Sequence, residues 1–349
     1  RIMKAHNFQM LVDVYGNIPY SQSLKGGANP TPAYDKGIDV YKDLFRQIDT
    51  GISLIKSANV TLTNANKDVW KNDILFGNPA STPSNQAAVD ALIIPQKAKW
   101  AKFGNTLKLR MLIHAYAVAG INKAAEMAII NTEGSGFLGA GEDAMVQPGY
   151  AADKPNPFYN VFKTTVAGAQ TANNVYYRAN KWGIDYYSYN GDPRRARFYE
   201  PNSDGDFRGV LYGLPPVTEN ASATLSGIGP GLFKTSTAPQ AIFTAAESFF
   251  LQAEARWRNI ITSGSSVAAL TNTGIAESFR YIGGGDPSTY LANNAGYSDV
   301  DVTAVSNSPV NPAGTQPVGG LFTIISQKWF ALNGVNTLEV WTDYRRLGY

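Results

Sequence analysis

Residues 98–118, AKWAKFGNTLKLRMLIHAYAV, carry the apolar stripe around which the rest of the chain is organised. Trp100, Phe103, Leu107, Met111, His114 and Val118 recur at three- and four-residue steps, which sets them along one side of an α-helix. Leu109, Leu112 and Ile113 widen that stripe, so the helix is expected to pack on more than one side. Lys99, Lys102 and Lys108 are left to the remaining face, or to snorkel towards water. About 20 residues rising 1.5 Å each make a rod of roughly 30 Å, enough to cross a domain.

Other stretches read as its partners. Residues 1–15 predict a helix with Ile2, Ala5, Phe8, Met10, Leu11 and Val14 on its apolar face and Gly16 as a C-terminal stop. Residues 36–57 predict a second, with Val40, Tyr41, Leu44, Phe45, Ile48, Ile52 and Ile55 facing the core and Asp35 as its cap. Residues 58–96 read as a mostly polar loop holding Trp70 and Phe76 as isolated aromatics. A helix over 121–132 follows the short link at Gly120, which implies an antiparallel pair. Helical character weakens from 134 to 239 and returns at Thr244, where Thr244 and Glu247 have capping-box spacing. Helices are then expected over 244–259, 265–281, 319–332 and 337–347, with Asn336 and Glu339 as a second box and 283–317 as loop with a helical turn near Tyr290. Strand signals are few and short. The pattern is all-α, of helix pairs with long irregular loops, and tetratricopeptide-like pairing is compatible with it although no 34-residue consensus recurs.

The loop-rich stretch about 134–239 is crowded with aromatics. Structureless segments this long are functional or disordered, and so many rings argue against disorder. One helix is predicted near 173–190, ended by Asp192-Pro193. Sugars present flat C–H faces and a rim of hydroxyls; rings cover the face and amide or guanidinium groups bond the rim. NNVYYRANKWGIDYYSYNGDPRR (173–195) offers both, with Tyr176, Tyr177, Trp182, Tyr186 and Tyr189 as stacking candidates and Asn173, Asn174 and Arg178 as polar partners. Trp70 is the candidate outside that segment. The competing reading is that these rings pack the loops onto the helices.

Composition narrows the classes. Of 349 residues, 44% are hydrophobic, so a sizeable core can form. Net charge is +3 with only 16% charged residues, and no basic cluster suggests nucleic acid. There is no cysteine, hence no disulfide scaffold or zinc–thiolate site; this fits an oxidising compartment and also others. Two histidines, His6 and His114, rule out a multi-histidine metal site. No run of 18 apolar residues occurs. The chain opens within an amphipathic pattern and is expected to be a trimmed piece of an exported protein.

Catalytic constellations are weak. There is no cysteine nucleophile and no G-x-S-x-G elbow. His114 lies on the apolar stripe and reads as a core histidine. Glu247 and Glu254 sit two turns apart and could be imagined as a hydrolase pair, but Glu247 has a capping role and both border a buried face. The glycine-rich runs at 134–136 and 283–286 lack the strand and lysine of a phosphate loop. PNSDGDF, with Asn202, Asp204 and Asp206, resembles a small calcium loop but lacks the remaining ligand set, so it reads as a solvated turn. No cofactor or metal is expected.

The final segment, ISQKWFALNGVNTLEVWTDYRRLGY, resembles the C-terminal signature of SusD/RagB-type nutrient-binding proteins, in the SusD-like branch. LVDVYGNIPYSQSL with PAYDKGIDVYKDLFRQID, then KWAKFGNTLKLRM, NPFY with DPRRARFY, and TAAESFFLQAEA match further blocks in order. The resemblance implies one SusD-like α-helical domain over 1–349, a non-catalytic role in binding glycan or another nutrient, and partnership with a SusC-like TonB-dependent transporter. It also implies a surface-exposed outer-membrane lipoprotein anchored through an upstream lipid. The family's pocket residues vary, so none is carried over. Trp329, Trp341, Arg345 and Arg346 are expected to be scaffold, the arginines paired to carboxylates or helix ends. The alternative is a helical-repeat scaffold whose loops bind protein or peptide rather than sugar.

Overall fold

The computed structural model describes residues 1–63, 65–78, 80–213, 221–306 and 318–348, and among these it forms fourteen helices and six short strands. Residues 214–220 of the aromatic stretch and 307–317 of the expected 283–317 loop lie outside the described residues. In chain order the elements are α1 (Ile2–Tyr15), β1 (Ile18–Pro19), β2 (Tyr34–Asp35), α2 (Gly37–Ser57), α3 (Asn66–Lys71), α4 (Gln86–His114), α5 (Lys123–Glu133), β3 (Ala144–Val146), α6 (Pro157–Phe162), α7 (Ala172–Tyr176), α8 (Lys181–Tyr189), α9 (Arg195–Phe198), β4 (Tyr199–Glu200), β5 (Gly227–Ile228), β6 (Gln240–Phe243), α10 (Ala245–Trp257), α11 (Val267–Ile282), α12 (Ser288–Asn293), α13 (Gly320–Leu332) and α14 (Thr337–Leu347). The strands pair antiparallel in twos: β1 with β2, β3 with β6, β4 with β5. The all-α class stands.

Contacts gather the chain into two compact units. The first comprises residues 1–142, 254–264 and 341–349; the second comprises 143–253 and 265–340.

In the first unit α2 packs against both α1 and α4. Phe103, Leu107, Leu109, Met111, Leu112 and Ile113 are fully buried, as the widened stripe predicts. Gly104 permits close approach there: a Cβ on it would stand 2.9 Å from Cδ1 of Ile52, which would have to shift. Three expectations fail locally. First, α4 begins at Gln86, well before residue 98, with Asn85 as its cap accepting from the Ala88 N–H at 2.9 Å. Pro95 sits inside this helix, and burial of Val89 and Ile93 against Val60 offsets the lost backbone bond. Second, Lys108 does not snorkel. It is sealed, with Nζ 2.9 Å from Asp49 and 2.7 Å from Glu126. Third, Asp35 does not cap α2; its carboxylate accepts from the Tyr20 and Ser21 N–H groups and the Ser21 hydroxyl, which fixes the turn before β2.

The arginine expectation for α14 holds. Arg346 bonds Glu254 through two 2.6 Å contacts and also Asp343, and Arg345 donates to the carbonyl of Asp13 at the end of α1. Trp341, expected to be scaffold, is 51% exposed, against 54% for its neighbour Tyr344. The helical spacing is real, but it selects the outer face.

The second unit has its apolar core between α10, α11 and α13, with Phe250, Ile275, Phe279 and Ile324 fully buried. Arg194, from the DPRR run, is fully buried beside it. It pairs with buried Asp192 at 2.6 Å, bonds Ser278 and Gln327 at 2.9 Å each, and lies over the rings of Phe279, Tyr290 and Phe330. Every donor-rich edge of the guanidinium is thus matched, which is the condition for burying a charge.

Candidate functional site

The predicted helix over 173–190 is two short helices separated by an extended break. Thr171 caps α7, accepting from the Asn174 N–H at 3.1 Å, and Asn180 caps α8, accepting from the Trp182 N–H at 2.8 Å. Between them Ala179 donates to Ser226 and accepts from Val210, and Lys181 donates to Val210. Those partners are remote in sequence, and they hold residues 177–181 out of the helical form.

On α8 the aromatic residues form layers. Tyr187 is fully buried and donates to the Phe330 carbonyl at 2.9 Å. Tyr186 is buried and stacks on Phe330, with centroids 4.5 Å apart and planes 25° apart. Burial pushes both phenols well above their ordinary pKa, so they remain neutral. Trp182 lies next to Tyr186 at 4.9 Å and meets Trp329 edge-on at 5.1 Å. It is 51% exposed. Tyr186 therefore cannot offer a free face; it is the base on which Trp182 rests. Tyr189 is half-buried against the same cluster. Trp182, Tyr186 and Tyr189 share one face of α8, and Trp182 is its outward ring.

On α7 Tyr176 is 78% exposed and Tyr177 about half exposed, their rings perpendicular at 5.3 Å. Tyr177 rests on Phe162 at 5.4 Å. Asn174 is buried and spends its amide on the Phe162 carbonyl at 2.9 Å and on Gln170. Asn173 donates to Val161 at 3.3 Å. The two asparagines fasten α7 to α6 before they do anything else. Arg178 is half-buried, and its Nε is buried without a hydrogen-bond partner.

Trp70 belongs to the first unit, half-buried on α3 against the Val60, Val89 and Ile93 cluster, whereas residues 173–190 belong to the second. Trp329, expected to be scaffold, supports Trp182 edge-on. One exposed aromatic escaped sequence reasoning. Tyr212 is 89% exposed, two residues beyond the Val210 contact with Lys181. Only long-range pairing brings that loop to α8, so no local signal could have placed it.

The remaining candidates resolve into structure. In the PNSDGDF turn the Asn202 side chain accepts from the Asp204 and Asp206 N–H groups at 3.0 and 2.9 Å, making a hydrogen-bonded turn. Glu247 takes the Thr244 cap on its N–H at 3.1 Å, and its carboxylate accepts from Asn336. Glu254 is held by Arg258 and Arg346. Both glutamates are fully buried, and both oxygens of Glu254 are taken up by arginines. His114 faces Asp13 at 2.9 Å with its side chain buried.

A family model described as SusD-like, "Starch-binding associating with outer membrane", matches residues 1–349. Among curated proteins nothing matches. Solved structures do. A chitin-binding SusD homolog from Flavobacterium johnsoniae is 22% identical with a TM-score of 0.71, covering 100% of this chain and 67% of that one. SusD homologs from Bacteroides uniformis and Bacteroides thetaiotaomicron are each 23% identical with a TM-score of 0.70 at the same coverage. The chain thus spans about two thirds of the length of these structures.

Proposed function

The chain belongs to the SusD-like family, and on that premise we propose that it is a non-catalytic glycan-binding protein whose ligand stacks on Trp182. Members of this family are binding proteins rather than enzymes, and the buried, paired state of Glu254 accords with that. The observation that carries the reading is the layered aromatic base. Trp182 is half exposed while Tyr186, Trp329 and Phe330 hold it from behind, so its ring is oriented before any ligand arrives. Tyr176 and Tyr177 supply further rings, Arg178 a half-buried guanidinium next in sequence, and Asn173 and Asn174 hold their helix in place. Trp70 is a separate candidate in the first unit.

The family description places these proteins with the outer membrane. Our reading extends this to a surface-exposed lipoprotein that passes its ligand to a SusC-like TonB-dependent transporter. Because one solved neighbour is described as chitin-binding, chito-oligosaccharides and starch head the panel of ligands to test. Affinity electrophoresis against soluble polysaccharides, with Trp182→Ala beside the parent, tests the reading. Loss of a stacking ring costs about 1–1.5 kcal/mol, roughly a tenfold weaker Kd. Unchanged retardation in the variant would move the site. Capture of a protein partner with no glycan bound would favour the scaffold reading.

A further inference from the structure

The first unit holds a cavity of about 310 Å³. That is the low end of small-molecule sites, which run from about 300 to 1,000 Å³. Val12, Ile38, Val118 and Ile121 give it apolar walls, and Asp13 and Arg345 are among its polar lining. The Asp13 carboxylate is already engaged, by Gln9, Tyr41 and His114. Arg346, which also lines the cavity, is taken up by Glu254 and Asp343.

Arg345 differs from both. Its Nη1 donates to the carbonyls of Asp13 and Val14, but among the described residues its Nε and Nη2 have no acceptor and the guanidinium has no ion pair. An Nε–Nη2 edge is the edge that receives a carboxylate bidentately. Residues 341, 344 and 345 share one helix face. Trp341 and Tyr344 stand there exposed, centroids 5.6 Å apart and planes only 24° from parallel. Arg345, an exposed residue that lines the cavity, thus shares a helix face with an exposed pair of stacked rings.

We propose that this is a second carbohydrate site, for an acidic sugar. The carboxylate of a uronate residue is bound by Arg345 at the cavity, and the neighbouring pyranose lies on the outer face of the stacked Trp341–Tyr344 pair. The proposal rests on the glycan-binding reading only in its choice of ligand class, since it uses none of the residues around Trp182.

The test is calorimetry of the whole chain with digalacturonate, and with the neutral disaccharide as control. Digalacturonate should bind, weaken with added salt, and outbind the neutral sugar at least tenfold. Arg345→Gln should remove that preference, and Arg345→Lys should keep only part of it. Val118→Phe, which narrows the cavity and changes no charge, should weaken binding with the thermal midpoint retained. Trp341→Ala should do the same from the shelf. Trp182→Ala should leave uronate binding intact, so loss of neutral-glycan binding in that variant with uronate binding preserved separates the two sites. The proposal is overturned if digalacturonate does not bind, if the neutral sugar binds equally well, if Val118→Phe and Arg345→Gln both bind as the parent does, or if Trp182→Ala abolishes uronate binding.

Discussion

In the helical stack of residues 1–142, Lys108 is closed in between Asp49 and Glu126 while the aliphatic residues around it follow a regular three- and four-residue step. In residues 143–243 the short elements are fastened by rings and amides: Tyr186 on Phe330, Tyr177 on Phe162, Asn174 on the Phe162 carbonyl, Asn180 on the start of α8. The first region is stabilised by periodicity, which any single helix displays in its own sequence. The second is stabilised by ring contacts and side chain to backbone bonds between short elements; the partners of Tyr186, Tyr177 and Asn174 lie elsewhere in the chain, and only the Asn180 cap is local. The comparison explains why an outward ring can be spared in the second region. A helix only nine residues long such as α8 (Lys181–Tyr189) is marginal alone, so its rigidity comes from the aromatic layer beneath it, and that layer also orients Trp182.

Substitutions can break each side of this comparison. The largest effect is expected at Arg194. Arg194→Met leaves Asp192 buried and unpaired, so chemical denaturation should show a loss of about 3–5 kcal/mol. A loss below about 1 kcal/mol would mean that the aromatic-lined core does not depend on that charge. Lys108→Met in the helical stack should cost less, about 2 kcal/mol, because Asp49 and Glu126 keep 30% and 24% exposure and can rehydrate. Asn180→Ala should cost about 1 kcal/mol through the lost cap, and it should also loosen Trp182, seen as a red-shifted, more quenchable tryptophan emission.

The smallest effect is expected from pH, because Lys56 is half exposed and water screens its pairing with Glu133. Burial alone would raise the Glu133 carboxyl, but hydrogen bonds from Lys56, Ser135 and Asn105 outweigh it and pull the pKa down to about 2 from an ordinary 4.5. A depressed acid contributes stability that is fully present above pH 4.5 and is lost as pH falls towards 2. The slope of unfolding free energy against pH over that window should therefore flatten in Glu133→Gln.

The same contrast sets what the sequence discloses. The stripe of Trp100 to Ile113, the helix carrying Val40 to Ile52 and the caps at Thr244 and Asn336 are local patterns, and the structure reproduces them. The early start of α4 was hidden by Pro95, which reads as a breaker until the packing of Val89 and Ile93 is known. The break at Tyr177–Asn180 was hidden because Val210 and Ser226 impose it. At the candidate site the ring-bearing segment was legible and the division of labour was not. Nothing local distinguishes Tyr186, which is covered, from Trp182, which is open; Phe330 and Trp329 decide that from α13. Trp341 shows the converse: it was expected to be scaffold, and the structure leaves it half exposed.

The central claim is that Trp182, held by a buried aromatic layer, is the ligand platform. Its most direct test is the Kd of the parent and of Trp182→Ala for the polysaccharide that retards the parent most strongly, with thermal unfolding of both run alongside. The account predicts binding at least tenfold weaker in the variant and a midpoint within a few degrees of the parent. Equal affinity in two equally folded proteins would contradict it.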